Sequence, residues 1–223
     1  MSALVVVALL AWGVFVAVDL VTVPQGLFSR PLVAATVAGA IAGDLGAGLL
    51  AGMVLELYAL DVLPIGASRY PDYGPAAVAA GAAAALVPGD LVIGVAGTVG
   101  LPLAVIGGYS LHVHRRRNAV SVARRLARVS AGDARAIWEL QRNAVVRDAG
   151  RGVVLSLAAV LAALLMSWIP WSTLPNARLL NWATAAGGLA AVLGGALRSG
   201  GHGARRRWLG IGLAAGIFVV LLQ

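Results

Sequence analysis

From position 1 to 111 apolar residues run almost without relief, broken only by glycines, prolines and single acids. Between 112 and 151 the pattern inverts, and polar and basic residues outnumber apolar ones. From 152 onward long apolar runs return. A run of about 20 apolar residues is enough to cross a bilayer as a helix, whereas shorter runs are not. Residues 2–23 therefore predict a first span, with Asp19 near its end. No positive residue precedes that run and no small-residue cleavage site follows it, so it is read as part of the mature chain rather than a signal peptide. Residues 31–43 are too short to span, and Asp44-Leu45-Gly46 interrupts them before residues 47–60 resume. Breaker-rich polar stretches at 64–66 and 70–75 precede the alanine-rich segment 76–87. Short apolar pieces of this kind predict broken or re-entrant helices, which are tolerated only where protein or a water-filled cavity surrounds them. Residues 90–111 are long enough to span.

Within 112–151 the apolar positions Val122, Leu126 and Val129, then Ile137, Leu140 and Ala144, recur three or four apart. That spacing predicts two amphipathic helices meeting at Ser130-Ala131-Gly132-Asp133. Residues 152–170, 181–197 and 208–222 predict three further spans, with Trp168 and Trp171 at one interface. The expected class is an all-α, polytopic integral membrane protein. It forms one domain in three parts: a broken-helix half (1–111), a basic amphipathic segment (112–151) and C-terminal spans (152–223).

Composition agrees with this class: 60% of the 223 residues are hydrophobic and 12% are charged. A soluble fold cannot hide so much apolar surface. With no cysteine, disulfides and thiolate metal sites are excluded. The net charge of +8 would suggest nucleic acid in a soluble chain, but its distribution argues for topology. Residues 1–111 hold two arginines against six acids, and residues 112–223 hold fifteen against three. Basic residues gathered between apolar runs mark cytoplasmic loops. The segment 112–151 is thus expected on the cytoplasmic side, its arginines between Arg115 and Arg151 against anionic lipid headgroups.

Carboxylates within apolar runs are costly unless paired or facing water, so each is a functional candidate. Glu56 lies between Val54-Leu55 and Leu57-Tyr58. It can accept two sugar hydroxyls, or it can form a buried pair with Arg30 or Arg69 that holds broken helices together. Asp72, in the 70–75 segment, can meet a polar solute beside unwound backbone or serve as a turn residue. Asp44 suits a helix cap, and Asp61 and Asp90 suit interfacial caps. Ser29-Arg30-Pro31 offers a hydroxyl, a guanidinium and a helix start whose amides favour an anion or a sugar oxygen. Ser29 is a candidate cap for that helix. Glycine pairs such as Gly39/Gly43, Gly48/Gly52 and Gly212/Gly216 predict close helix packing. His112 and His114 lack further metal ligands nearby, and no nucleophile constellation is visible. The expectation is a chain with no covalent chemistry, no metal and no cofactor.

The stretch GLFSRPLVAATVAGAIAGDLGAGLLAGMVLELYALDVLPIGASRYPD, residues 26–72, resembles the membrane IIC component of the mannose/fructose/sorbose-type bacterial phosphotransferase system. The family pattern runs as G-L-I-S-R-P-L, L-G-D, G-x-x-L-E-L, I-P-V-G-G and P-P-D. These motifs fall on residues 26–32, 42–44, 52–57, 63–67 and 70–72 without a gap. The resemblance implies a hexose-like sugar permease subunit in the bacterial cytoplasmic (inner) membrane, working with a IID membrane subunit in a higher oligomer. Cytoplasmic IIA and IIB proteins would pass a phosphoryl group from phosphoenolpyruvate to the arriving sugar. The motif positions Ser29, Arg30, Glu56, Gly66 and Asp72 are the implied substrate-binding residues. Three positions depart from the pattern: Ala67 replaces a glycine, Tyr70 a proline, and Arg69 an apolar residue. These departures crowd the expected site. Two rivals follow, a structural or regulatory membrane subunit with a degenerate site, and a polar-solute carrier uncoupled from phosphorylation.

Overall fold

The structure is a computed structural model that describes residues 1–60, 62, 68–199 and 207. Among the described residues the regular elements are all helical: α1 (Ala3–Asp19), α2 (Pro31–Ala42), α3 (Leu45–Leu60), α4 (Tyr73–Ala84), α5 (Val92–Ala123), α6 (Leu126–Ser130), α7 (Ala134–Trp168) and α8 (Leu179–Ser199). Three of these helical segments are long and apolar enough to cross a membrane, at Gly89–Ala123, Ala134–Trp168 and Leu179–Ala196. The chain is an all-α polytopic membrane protein. The expected last span, 208–222, lies outside the described residues, as do Asp61, Gly66, Ala67 and the pair Gly212/Gly216.

α4 is the central pillar, packed against α1, α2, α3, α5 and α7. Its residues from Gly74 to Ala84 are all buried. The sequence explains this position, because alanine and glycine keep neighbouring backbones close where larger side chains would separate them. A Cβ added at Gly81 would lie 2.2 Å from the Ala35 carbonyl oxygen.

α2 and α3 form an antiparallel hairpin. α2 ends at Gly43, whose φ of 107° is the left-handed conformation that glycine adopts without penalty. Asp44 then opens α3, its Oδ1 accepting the Ala47 N–H at 2.9 Å, the expected cap. Gly39 of the expected pair does meet backbone, since a Cβ there would stand 2.5 Å from the Gly48 Cα. Gly43 meets nothing within 4 Å, so it serves the turn rather than packing. α2 and α4 each have 12 residues, about 18 Å at 1.5 Å per residue, against about 30 Å of hydrocarbon. α4 does not start at the end of its neighbour. The Asp72 N–H donates to the Ala104 carbonyl at 2.8 Å, beside the middle of α5.

The basic segment differs from expectation. α5 continues unbroken from its apolar part through His112 to Ala123, and α7 runs from Ala134 through Arg151 to Trp168. The polar residues extend the spans as a helical hairpin rather than forming two separate amphipathic helices. The physical reason is that arginine and alanine are good helix formers and nothing between Leu111 and Ala123 breaks the backbone pattern. Boundaries placed at 111 and 151 thus fall inside helices. The expected junction is present: Gly132 has φ 76°, and Asp133 caps α7 by accepting the N–H groups of Arg135 and Ala136. Those bonds, led by the Ala136 N–H and joined by the Arg128 guanidinium, hold its carboxyl below the usual carboxylate range.

At the opposite end Asn181 of α8 bridges to the start of α5. Its Oδ1 accepts the Gly94 N–H at 2.6 Å and its Nδ2 donates to the Asp90 carbonyl. The Asp90 carboxylate pairs with Arg178 at 3.2 Å. Trp168 is exposed, whereas Trp171 is buried and donates to the Met166 carbonyl at 2.9 Å. Trp171 thus finishes α7 instead of facing headgroups. Gly81→Ala is expected to lower the thermal unfolding midpoint in detergent, by about 1–3 kcal/mol of overpacking. Gly150→Ala, where a Cβ meets nothing within 4 Å, is expected to leave the midpoint unchanged or raise it.

Candidate functional site

Arg151 of α7 is the most heavily engaged side chain in the described structure, with its side chain 7% exposed. Its Nη1 donates to Asp72 Oδ2 at 2.5 Å, its Nε to Asp148 Oδ1 at 2.9 Å and its Nη2 to the Ala17 carbonyl at 3.0 Å. Both carboxylates are fully buried. Asp148 Oδ2 accepts the Thr22 hydroxyl at 2.5 Å. Asp72 Oδ1 accepts the Gly74 N–H at 3.3 Å and so caps α4. One guanidinium thereby ties the end of α1, the start of α4 and the middle of α7 together. Asp72 is a fully buried cap and ion-pair partner, roles that the sequence reading did not name for it.

Asp19 organises the segment that follows α1. Its two carboxylate oxygens accept the N–H groups of Gly26 at 2.7 Å and Ser29 at 2.8 Å. Ser29 is held by its backbone, and the N-cap of α2 is Arg30 with no side-chain bond to the helix. The anion at the start of α2 comes from across the hairpin. Glu56 pairs through Oε1 with the Arg30 guanidinium and through Oε2 accepts the Leu32 N–H at 3.1 Å. The pair is half-buried, with side chains 40% and 18% exposed for Arg30 and Glu56. The hairpin therefore begins and ends at one ion pair, the helix-holding alternative for Glu56. Ser29 and Asp72 lie near each other, since a Cβ on Gly74 would sit 3.3 Å from the Ser29 Cβ. Gly66 lies outside the described residues.

Next to the Arg151 network is a cleft of about 980 Å³. Thr22 and Gln25 line it from the segment after α1, His114 and Asn118 from α5, and Trp138 and Gln141 from α7. Tyr70 adds a further wall, its hydroxyl accepting from Arg115, whose guanidinium lies 4.6 Å from the ring centroid. The departure at position 70 thus supplies a rigid aromatic surface. Asn118 Nδ2 and His114 Nε2 are 2.9 Å apart, while Asn118 Oδ1 is buried without a partner. A buried acceptor without a donor is costly. Sequence reading singled out none of Thr22, Gln25, Asn118 or Gln141 for this role. Uncharged polar residues near the end of an apolar run carry no signal until folding gathers them. Asp148 and Arg151 are three apart on one helix, and the sequence reading did not pair them.

The profile of the family described as PTS system sorbose-specific IIC component matches residues 2–199, and the chain belongs to this family. Over 78 residues it is 38% identical to the PTS system sorbose-specific EIIC component of Klebsiella pneumoniae, covering 35% of this chain and 29% of that protein. Over 80 residues it is 35% identical to the PTS system mannose-specific EIIC component of Escherichia coli (strain K12), covering 36% of this chain and 29% of that one. The matched part is thus less than a third of either relative's length. A solved structure described as a membrane protein shares the fold, with a TM-score of 0.73 at 19% identity over 100% of this chain and 91% of the other.

Arg151→Met leaves two buried carboxylates without their cation. It is expected to destabilise the protein by about 3–5 kcal/mol, read as a lower thermal midpoint in detergent. Arg151→Lys is expected to recover only part, because an ammonium cannot reach three acceptors in the planar fork geometry.

Proposed function

We propose that this family member is a sugar permease subunit of a phosphoenolpyruvate-dependent phosphotransferase system, recognising and translocating a hexose-like sugar. The observation that carries the reading is a cleft whose walls combine the amides of Gln25, Asn118 and Gln141 with a hydroxyl, an imidazole, two aromatic rings and the guanidinium groups of Arg115 and Arg142. Such mixed walls suit a sugar, which needs several hydrogen bonds and a flat apolar surface at once. In this reading Gln25, Asn118 and Gln141 meet hydroxyls and Tyr70 or Trp138 meets the ring face. Asp72, through Arg151 and Asp148, fixes the position of Thr22. Ser29, Arg30 and Glu56 hold the α2–α3 hairpin beside the start of α4, and Glu56 becomes a direct sugar ligand only if its pair with Arg30 opens during transport. Gly66 belongs to the same motif set.

The proposed setting is the bacterial cytoplasmic membrane, with the α5–α7 hairpin on the cytoplasmic side and the cleft facing the phosphorylating machinery. A IID membrane subunit completes the sugar path, cytoplasmic IIA and IIB proteins carry the phosphoryl group, and the assembly is a higher oligomer. This chain itself makes and breaks no covalent bond. Support comes from the family, from the names of the two relatives and from the concentration of arginine on the hairpin.

The test is sugar uptake by cells supplied with this chain and candidate IIA, IIB and IID partners. Asn118→Ala is expected to raise the apparent KM about fivefold by removing one sugar hydrogen bond, with unchanged membrane insertion. Glu56→Gln is expected to slow uptake by loosening the hairpin. Unchanged kinetics in both variants would contradict the assignment. Absence of any sugar response in the intact complex would favour a degenerate or regulatory subunit.

A further inference from the structure

Beyond Leu111, α5 has two working faces. One carries His114 and Asn118 into the cleft described above. The other carries Arg116, Arg117, Ser121 and Arg124 along a second cleft of about 490 Å³, completed by Arg147 from α7 and Arg69 from the segment before α4. No carboxylate lines it. Among the described residues these five arginines take part in no ion pair, whereas Arg125, Arg128 and Arg151 each have an acidic partner. Arg147 is held in place by the protein itself, its Nε donating to the Asn143 carbonyl at 3.0 Å and its Nη1 to Ser121 Oγ at 3.2 Å. Five cations gathered without a counter-ion among the described residues repel one another, and an anion in the cleft removes that repulsion.

A smaller apolar cleft of about 270 Å³ adjoins the first, bounded by Pro71, Val105 and Gly108. Arg69 and Tyr109 line both. Val105, Ile106 and Tyr109 are exposed on the apolar part of α5, Tyr109 about two turns before Arg116. The order along the helix is therefore apolar slot, aromatic ring, basic cleft. That is the order of acyl chain, interface and headgroup in a phospholipid.

We infer that the two adjoining clefts form a specific site for one anionic phospholipid. Its phosphodiester sits among Arg69, Arg116, Arg117, Arg124 and Arg147, and an acyl chain lies along Val105. Free phosphate matches the basic cleft but leaves the apolar slot unused. The basic cleft shares no lining residue with the sugar cleft, Tyr70 stands between the sugar cleft and the apolar slot, and the inference does not depend on the sugar reading. A lipid wedged between Arg69 and Arg147 would brace the segment before α4 against α7.

Native mass spectrometry of the purified full chain with its membrane partners, titrated with dioleoylphosphatidylglycerol and dioleoylphosphatidylcholine, tests this directly. The glycerol lipid is expected to be retained at least tenfold more tightly. Arg116→Gln is expected to weaken that retention about tenfold, the scale of one charge-assisted hydrogen bond. Arg135→Gln, which removes the same charge from an exposed position at the start of α7, is expected to leave it unchanged. Val105→Trp, filling the slot, is expected to weaken lipid retention. Equal weakening by Arg116→Gln and Arg135→Gln would overturn the inference in favour of diffuse surface attraction. Complete displacement of the lipid by millimolar inorganic phosphate, with Val105→Trp behaving as the unsubstituted chain, would overturn it in favour of a phosphate site.

Discussion

The rest of the structure depends on the placement of Arg151. Burying one guanidinium and two carboxylates is expensive unless every charge finds a partner. Here the three nitrogens of Arg151 reach Asp72, Asp148 and the Ala17 carbonyl. The remaining oxygens of the two acids are taken by Thr22 and Gly74. Satisfying this network requires α1, α4 and α7 to converge at one point. It also requires α4 to begin beside Ala104 rather than at the end of α5. The small residues of α4 then let α2 and α5 close around it. A discontinuous backbone so enclosed exposes few polar groups to lipid.

From that convergence the two clefts follow. Because α5 and α7 continue past the level at which α4 begins, their polar extensions stand beside the loop from Leu20 to Gln25 and beside Tyr70. One face of the α5 extension then looks onto amides, aromatic rings, Arg115 and Arg142, and the other onto five arginines that form no ion pair among the described residues. In the proposed reading, a neutral, hydroxyl-rich solute and an anionic amphiphile meet different faces of one helix.

Much of this was legible in the sequence where local chemistry decides the outcome. Asp44 was foreseen as the cap of the next helix and caps α3, whereas Gly43, expected in a packing pair, forms the left-handed stop of α2. The alanine-rich run 76–87 announces a helix that tolerates close neighbours, and α4 is buried along its length. The pairing of Arg30 with Glu56 was foreseen as one of two alternatives, since a carboxylate on α3 needs either a cation or water. What was not legible depends on contacts distant along the chain. Asp72 meets Arg151 across 79 positions, and nothing in the spacing names that partner. That α5 continues past Leu111 and α7 runs on through Arg151 was not legible, because the change from apolar to polar residues reports the surroundings of a helix, while its end requires a break in the backbone. Asn118 and Gln25 carry no charge and follow no motif, so the cleft they share emerges only from the fold.

The central claim is that the buried Arg151 network is a fixed wall and that the sugar meets uncharged groups in front of it. The most direct measurement is a cryo-electron microscopy structure of the assembled membrane complex saturated with its transported sugar. The account predicts sugar density within hydrogen-bonding distance of Gln25 and Asn118, with Arg151 still bridging Asp72 and Asp148. Sugar density on the Asp72 carboxylate, with Arg151 turned away from it, would contradict the account.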